Sequence, residues 1–67
     1  MKTYDRNRNA ITTGSRVMIA NNGATGVITT IHGEGKTAEQ LRRASCVEID
    51  GQDGTFCPID LIRLGLN

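Results

Sequence analysis

The chain has 67 residues and a formal net charge of +1 at neutral pH. A domain of this length hides only about 60% of the surface that its unfolded chain exposes, which excludes a large core. A charge so close to zero argues against a dedicated electrostatic binder of nucleic acid or of a membrane surface. No apolar run approaches the roughly 20 residues of a membrane span, and two cysteines are too few for a disulfide framework. We therefore expect a soluble, unexported protein in the reducing cytoplasm.

Residues 1–12 show no periodicity and carry six charged or amide side chains between Lys2 and Asn9. This composition predicts a flexible basic arm ahead of a folded domain over residues 13–67. Two interpretations of the arm are open. Arg6 and Arg8 would contact a phosphate backbone if the arm binds nucleic acid, and they would simply be solvated if it does not.

The segment Gly14–Gly33 predicts a β-hairpin, because Asn22-Gly23 lies at its centre with alternating apolar residues on both sides. A two-residue turn at this point pairs Val17 with Ile28. Side chains alternate along a strand, so the register divides the hairpin into two faces. The inner face holds Val17, Ile19 and Ile28, and the outer face holds Arg16, Met18, Val27 and Thr29.

Ile31 does not fit a regular strand that also turns Ile28 inward. The two residues are separated by an odd number of positions, which would place their side chains on opposite faces. A β-bulge near Thr29-Thr30 would bring both into the core, and we expect one there.

Residues 33–45 read as a polar insertion between the second and third strands of the predicted sheet. Thr37 and Gln40 have the spacing of a capping box, which predicts a short helix. A helix of two turns is unstable alone, so it must dock through Leu41 or remain a loop. In either case we expect the Arg42-Arg43 pair to face solvent.

Residues 46–57 predict a second hairpin around a turn rich in glycine and aspartate. Two registers keep its apolar residues on one face. A turn centred on Gly51-Gln52 sets Val47 opposite Phe56, and a turn one residue later sets Ile49 opposite Phe56. Glycine in the first central position suits a type II′ turn, which favours the first register.

The two cysteines belong to this hairpin, and the first register sets Cys46 opposite Cys57 at a spacing that a disulfide accepts. The alternative is a pair of reduced thiols that fill small positions under the Thr37–Ala44 segment, and the expected compartment favours it. With His32, these are the only soft metal ligands in the chain. We expect no metal site, because a structural zinc needs four ligands and a catalytic zinc needs three with an open position.

The C-terminal segment predicts a closing element. Pro58 ends the preceding strand, and one tight helical turn follows it. A last strand over Ile62–Leu66 then pairs with the first strand of the hairpin, with Leu64 on the core side. The predicted core consists of Val17, Ile19, Ile28, Ile31, Val47, Ile49, Phe56, Ile59, Leu61 and Leu64.

Five short strands in two hairpins, with a single turn before the last strand, resemble the SH3-like small barrel. The predicted class is therefore all-β, a five-stranded SH3-like barrel with at most one short helix. Gly14-Ser15-Arg16-Val17, followed by Gly23, Gly26, Ile28 and Ile31, is similar to the KOW motif of ribosomal and transcription-elongation proteins. That resemblance implies a hairpin that contacts RNA or protein.

A second resemblance runs over most of Gly14–Asn67. The order Gly-x-Arg-Val, Gly-Ala, Gly-x-Ile, Val-Glu and Gly-Thr with a closing leucine strand looks like the plasmid-type dihydrofolate reductases. These enzymes are SH3-like barrels that work as tetramers around a shared pore. Their Val-Gln-Ile-Tyr run, which holds folate and nicotinamide, corresponds to Phe56-Cys57-Pro58-Ile59 in this chain.

No nucleophile is paired with a base along the chain, so we expect neither an enzyme nor a cofactor. The leading hypothesis is a small non-enzymatic binding module or accessory subunit that docks on a larger protein. The predicted docking residues are Arg16 and Met18 of the hairpin with Arg42 and Arg43 of the insertion. The alternatives are nucleic-acid binding through the KOW-like hairpin and the basic arm, and a reductase-like homotetramer. The oligomeric state is left open.

Overall fold

The computed structural model describes residues 2–65. Its elements in chain order are β1 (Lys2–Tyr4), β2 (Ala10–Thr12), β3 (Arg16–Ile19), β4 (Thr25–Ile31), α1 (Ala38–Arg42), β5 (Val47–Ile49), a 3-10 turn (Pro58–Asp60) and β6 (Leu61–Arg63). The predicted all-β class with one short helix is confirmed. Six strands lie in the described range, one more than predicted.

The strands form two antiparallel sheets over residues 2–65. β1 pairs with β2, and the other four strands are ordered β5-β4-β3-β6. The predicted return of the last strand to the first strand of the hairpin is confirmed, because Met18 of β3 faces Ile62 of β6. β6 starts at the fully buried Leu61, one residue earlier than predicted. Leu66, the predicted end of this strand, lies outside the described residues.

The hairpin β3–β4 forms as predicted, but its register is shifted by two residues. Val17 faces Gly26, and the loop is closed by a 2.8 Å hydrogen bond from Gly23 N to the carbonyl of Ile19. A two-residue type I′ turn needs positive φ at both central residues, and only Gly23 has it (75°), not Asn22. The chain therefore uses a four-residue loop. A shift of two positions keeps every side chain on its predicted face.

β4 carries the predicted bulge. Its pairing with β5 changes register between Ile28 and Thr30, so that Ile28 faces Ile49 and Ile31 faces Val47. Ile28 is 1% exposed and Ile31 is 7% exposed. One extra residue in the strand thus turns both isoleucines inward despite their odd spacing.

Residues 2–12 are folded, in contrast to the predicted flexible arm. Lys2–Tyr4 and Ala10–Thr12 form a hairpin, and Thr3 and Ile11 lie opposite each other with both side chains buried. The apolar alternation in these three-residue strands is too short to be seen in the sequence. Apart from Lys2 in β1, the charged and amide residues that suggested a tail belong to the connection between the two strands.

The carboxylate of Asp5 organises that connection. Asp5 is fully buried, and its side chain accepts hydrogen bonds from the backbone N–H groups of Asn7 (2.9 Å), Asn9 (2.7 Å) and Arg63 (2.6 Å). The bond to Asn7 is an Asx turn, a common use of aspartate in loops. The bond to Arg63 covers part of the free edge of β6, which fastens the N-terminal hairpin to the main sheet.

The short helix α1 is capped as the sequence predicts. Thr37 Oγ1 accepts from Gln40 N at 3.2 Å, and Gln40 Oε1 accepts from Thr37 N at 2.9 Å. Leu41 is 1% exposed, so the predicted docking through this residue is confirmed. A Cβ atom at Gly33 would lie 1.8 Å from Leu41 Cδ2, which shows how closely the chain approaches the helix.

The core joins side chains from both sheets and from α1. Its buried members are Ile11, Val17, Ile19, Ile28, Ile31, Leu41, Cys46, Val47, Ile49 and Leu61. Of the predicted members, Phe56 and Leu64 are only partly buried, and Ile59 is 36% exposed. In the 3-10 turn it is Pro58 that turns inward, which leaves Ile59 outside.

Candidate functional site

The two cysteines lie on either side of a short antiparallel contact. Val47 pairs with Phe56, as the favoured register predicts. The carbonyl of Phe56 also accepts from two consecutive N–H groups, those of Val47 (3.0 Å) and Cys46 (3.2 Å). Two residues opposite one is the pattern of a β-bulge, so Cys46 lies beside Val47 and not opposite Cys57. The favoured register therefore forms at Val47 and Phe56, and the bulge moves Cys46 away from the position opposite Cys57.

The connection after β5 also differs from the predicted type II′ turn. Gln52 N donates to the carbonyl of Ile49 at 3.1 Å, which makes Gly51 the third residue of the turn. A type II′ turn needs glycine at the second position. Gly51 has a φ of 80°, a conformation that favours glycine at the third position of a turn. The chain then reaches Phe56 through a longer loop.

Both thiols are free, and both point towards the C-terminal end of α1. Cys46 is 3% exposed, and its Sγ donates to the carbonyl of Leu41 at 3.4 Å. Cys57 is half-buried, and its Sγ donates to the carbonyl of Arg43 at 3.9 Å. The carbonyl of Leu41 also accepts from Ala44 N at 3.0 Å, so the Cys46 thiol is a second, weaker donor to it.

The surroundings of the two thiols give them different chemistry. Burial raises the pKa of Cys46, the neighbouring Cys57 thiol raises it further, and the Lys36 ammonium opposes this in part. Cys46 is therefore a protonated thiol at neutral pH, and a protonated thiol is a poor nucleophile. Cys57 has the more accessible sulfur of the two.

Arg42 holds the helix over the thiols, and its predicted exposure is wrong. The residue is 8% exposed, and its guanidinium donates to the carbonyls of Asp5 (3.0 Å) and Arg6 (3.1 Å). These backbone carbonyls of the N-terminal connection accept hydrogen bonds that offset the cost of burying the Arg42 guanidinium. Arg43 is exposed as predicted. Of the pair, only Arg43 is available to a partner.

The other predicted binding residues lie elsewhere on the surface. Arg6 and Arg8 are exposed in the connection between β1 and β2. Arg8 forms a 2.5 Å ion pair with Glu39 of α1, and this contact holds the pKa of that carboxyl below its usual range. Of the two arginines of the predicted basic arm, Arg8 is thus paired with an acid.

The outer face of the four-stranded sheet carries Arg16 and Met18. Arg16 is exposed and lies opposite Val27, while the half-buried Met18 lies opposite Ile62. Val27 is 37% exposed. This face is separate from the thiols, so the structure does not bring the predicted binding residues together at one site.

His32 lies at an exposed position and bonds to Glu48 through its ring nitrogen. Within residues 2–65 no group of three or more His, Cys, Asp or Glu side chains is arranged to hold a metal ion. Over the same range, no helix is long and apolar enough to cross a membrane.

Of the residues around the thiols, sequence reasoning missed Asp5 but predicted that Leu41 docks the short helix. Asp5 has a signal, since aspartate two residues before an amide-rich turn is typical of an Asx turn. Leu41 has the capping box before it and lies on the apolar stripe of the helix. The hypothesis that places the thiols under the Thr37–Ala44 segment agrees with their hydrogen bonds to the carbonyls of Leu41 and Arg43.

Comparison with known proteins gives one family and close relatives. A sequence model of that family, described as YdfZ protein, matches residues 2–65. Proteins named "Putative selenoprotein YdfZ" from Escherichia coli K12, Escherichia coli O6:H1 CFT073 and Shigella flexneri are each 60% identical to the chain over 67 residues. The match covers 100% of this chain and 100% of each relative. No solved structure matches the chain.

Proposed function

The chain belongs to the YdfZ protein family, and on that premise we propose that it is a small non-enzymatic carrier that binds selenium on the thiol of Cys57. The relatives have the word selenoprotein in their names. No selenocysteine stands among the 67 residues of this chain. Selenium must then be attached to an ordinary side chain after synthesis, and a thiol is the side chain suited to that exchange.

The observation that carries the proposal is the difference in access between the two thiols. Cys57 is half-buried at the surface, whereas Cys46 is 3% exposed and donates to a helix carbonyl. A reagent in solution therefore meets Cys57 first. A reducing cytoplasm, where we place the protein, keeps both sulfurs in the thiol form.

The selenium donor that fits this site is a selenotrisulfide of a low-molecular-weight thiol, RS–Se–SR. The Cys57 thiolate attacks the selenium atom and forms a new sulfur–selenium bond. One of the original selenium–sulfur bonds breaks, and the thiolate RS⁻ leaves. The product is Cys57–S–Se–SR, in which selenium keeps its oxidation state, so no further oxidant or reductant is needed.

The test is loading of the purified protein with the selenotrisulfide of glutathione, followed by intact mass spectrometry and peptide mapping. We expect the wild-type protein and Cys46→Ser to acquire the isotope pattern of selenium. We expect Cys57→Ser to acquire little or none over the same time. Equal loading of Cys57→Ser and the wild-type protein would show that selenium is not held on Cys57.

A second candidate function, docking on a larger protein, is favoured by the outer face of the sheet. Val27 is 37% exposed there, beside the half-buried Met18 and Ile62 and the cation Arg16. An apolar strip with a charged edge is typical of a protein-binding surface. We expect Arg16→Glu combined with Met18→Ala to weaken capture of a partner from a cell extract, while Thr29→Ala leaves capture unchanged. Undiminished capture by the double variant removes this surface from consideration.

A further inference from the structure

We propose that one selenium atom is bound between both cysteines, as a Cys57–S–Se–S–Cys46 bridge under the end of α1. This inference rests on the proposed function and goes beyond it, because it assigns Cys46 a direct covalent role. The bridge is a two-thiol binding site for divalent selenium. The simpler alternative to this bridge is a pendant adduct, in which selenium is bound to Cys57 alone.

The geometry that carries the proposal is the position of both thiols at the same end of α1. Cys46 and Cys57 each lie next to one member of the Val47–Phe56 bridge. Their thiols donate to the carbonyls of Leu41, in the last turn of α1, and of Arg43, the residue that follows the helix. The Cys57 thiol is also one of the groups that act on the Cys46 thiol electrostatically, so the two sulfurs are neighbours.

The bulge is what favours selenium over a direct disulfide. It turns Cys46 into the core beside Val47, while Cys57 stays near the surface, so the sulfurs do not point at each other across the strands. A disulfide holds its sulfurs about 2.05 Å apart. A selenium atom inserted between them spans a wider gap, and therefore demands less movement of the bulged backbone.

The bridge forms in two balanced exchanges. In the first, the Cys57 thiolate attacks the selenium of RS–Se–SR and RS⁻ leaves. In the second, the Cys46 sulfur attacks the same selenium atom, a second protein sulfur–selenium bond forms, and the remaining RS–Se bond breaks. The departing RS⁻ takes the proton that Cys46 loses, so the net products are the bridge and two RSH molecules.

Burial makes Cys46 a poor nucleophile towards reagents in solution, yet it does not prevent the second step. Once Cys57 holds the selenium, the attack is intramolecular, and positioning raises the effective concentration of the reacting group by many orders of magnitude. The order of events follows from access: Cys57 reacts first and Cys46 second. The completed bridge lies against the core, where external thiols reach it poorly.

The experiment is the same loading with the selenotrisulfide of glutathione, read out by the composition of the adduct. A bridge contains selenium and no glutathione, because both glutathiones have left. A pendant adduct contains selenium and one glutathione. In Cys46→Ser, where the second exchange is impossible, we expect the pendant composition.

The wild-type protein alone also decides the question, which matters if Cys46→Ser unfolds. After loading, denaturation and alkylation without reductant, a bridged chain takes up no label and a pendant chain takes up one label, on Cys46. Wild-type adducts that retain glutathione with Cys46 labelled would overturn the bridge and leave the proposed function intact. Loss of selenium with formation of a plain Cys46–Cys57 disulfide would overturn it as well. Absence of selenium from every variant would instead contradict the proposed function.

Discussion

The substitution Asp5→Ala should be the most damaging single change in the N-terminal half of the chain. It removes the acceptor of three backbone N–H groups, those of Asn7, Asn9 and Arg63, at 2.6–2.9 Å. A hydrogen bond to a charged group contributes about 1.5–3 kcal/mol. Even if water replaces some of these hydrogen bonds, we expect the free energy of unfolding to fall by about 3 kcal/mol or more. That is close to the roughly 3–5 kcal/mol that the core of so small a domain supplies. Asp5→Asn keeps one oxygen acceptor and should cost about 2 kcal/mol.

The assay is urea unfolding followed by circular dichroism, since the chain contains no tryptophan. Asp53→Ala is the matched control, because Asp53 is an exposed aspartate in the loop after β5. We expect its free energy of unfolding to stay within about 0.5 kcal/mol of the wild-type value. The urea concentration at the unfolding midpoint should be highest for Asp53→Ala, lower for Asp5→Asn and lowest for Asp5→Ala. Equal midpoints for Asp5→Ala and Asp53→Ala would refute the role of Asp5 as a clamp.

Three further changes test other parts of the fold. Because the pKa of Cys46 is higher in the folded than in the unfolded chain, stability should be complete below the ordinary thiol pKa of 9.0 and fall as the pH rises above it. As the pH rises above 9.0, the urea midpoint should fall less in Cys46→Ala than in the wild-type protein. An identical fall in both proteins would contradict a raised pKa of Cys46. Gly26→Ala places a Cβ 2.5 Å from Ile49 Cγ2 and should cost about 1–3 kcal/mol in urea unfolding, whereas an unchanged midpoint would show that β5 yields freely. Arg8 has a φ of 62°, and both Arg8→Gly and Arg8→Ala remove its ion pair. We therefore expect the glycine variant to be more stable by about 1 kcal/mol, and an alanine variant of equal stability would contradict the backbone argument.

The elements that the sequence predicts well are those whose signal is local. The alternation around Val17 and Ile28 determines which face is buried, and it survives a register error because that error is an even number of residues. The odd spacing of Ile28 and Ile31 predicts the bulge in β4 for the same reason. The capping box at Thr37 marks the start of α1, since its two hydrogen bonds involve residues only three apart.

The errors arise where a distant group decides the outcome. Residues 2–12 resemble a solvated arm in the sequence, because their composition is polar and the residues that they contact lie far along the chain. The second carboxylate oxygen of Asp5 accepts from the N–H of Arg63, which lies 58 residues away at the edge of β6. Arg42 is buried because carbonyls of Asp5 and Arg6 accept from it. Neither partner is indicated by residues nearby in the chain.

The cysteines illustrate a different limit. Their predicted opposition assumes an unbroken alternation between Val47 and Phe56 and the residues that flank them. A single bulge at Cys46 breaks that alternation and moves its thiol from the outer to the inner face. No turn residue or charge near Cys46 signals the bulge, so the sequence does not predict which face of the strand the Cys46 thiol occupies.

The thiol site depends on contacts that extend across the whole chain. A helix of five residues has no stability of its own, so its position over Cys46 must come from tertiary contacts. Leu41 fixes one side of α1 in the core, and Arg42 fixes the other by binding the carbonyls beside Asp5. Loss of the Asp5 clamp should therefore release the helix end and expose Cys46 before the main sheet unfolds. Faster alkylation of Cys46 in Asp5→Asn, at a urea concentration where circular dichroism still reports the folded sheet, would demonstrate this coupling. An unchanged alkylation rate would mean that the remaining contacts of α1, among them buried Leu41 and the hydrogen bond from Thr3 Oγ1 to the carbonyl of Ala38, hold the helix without the Asp5 clamp.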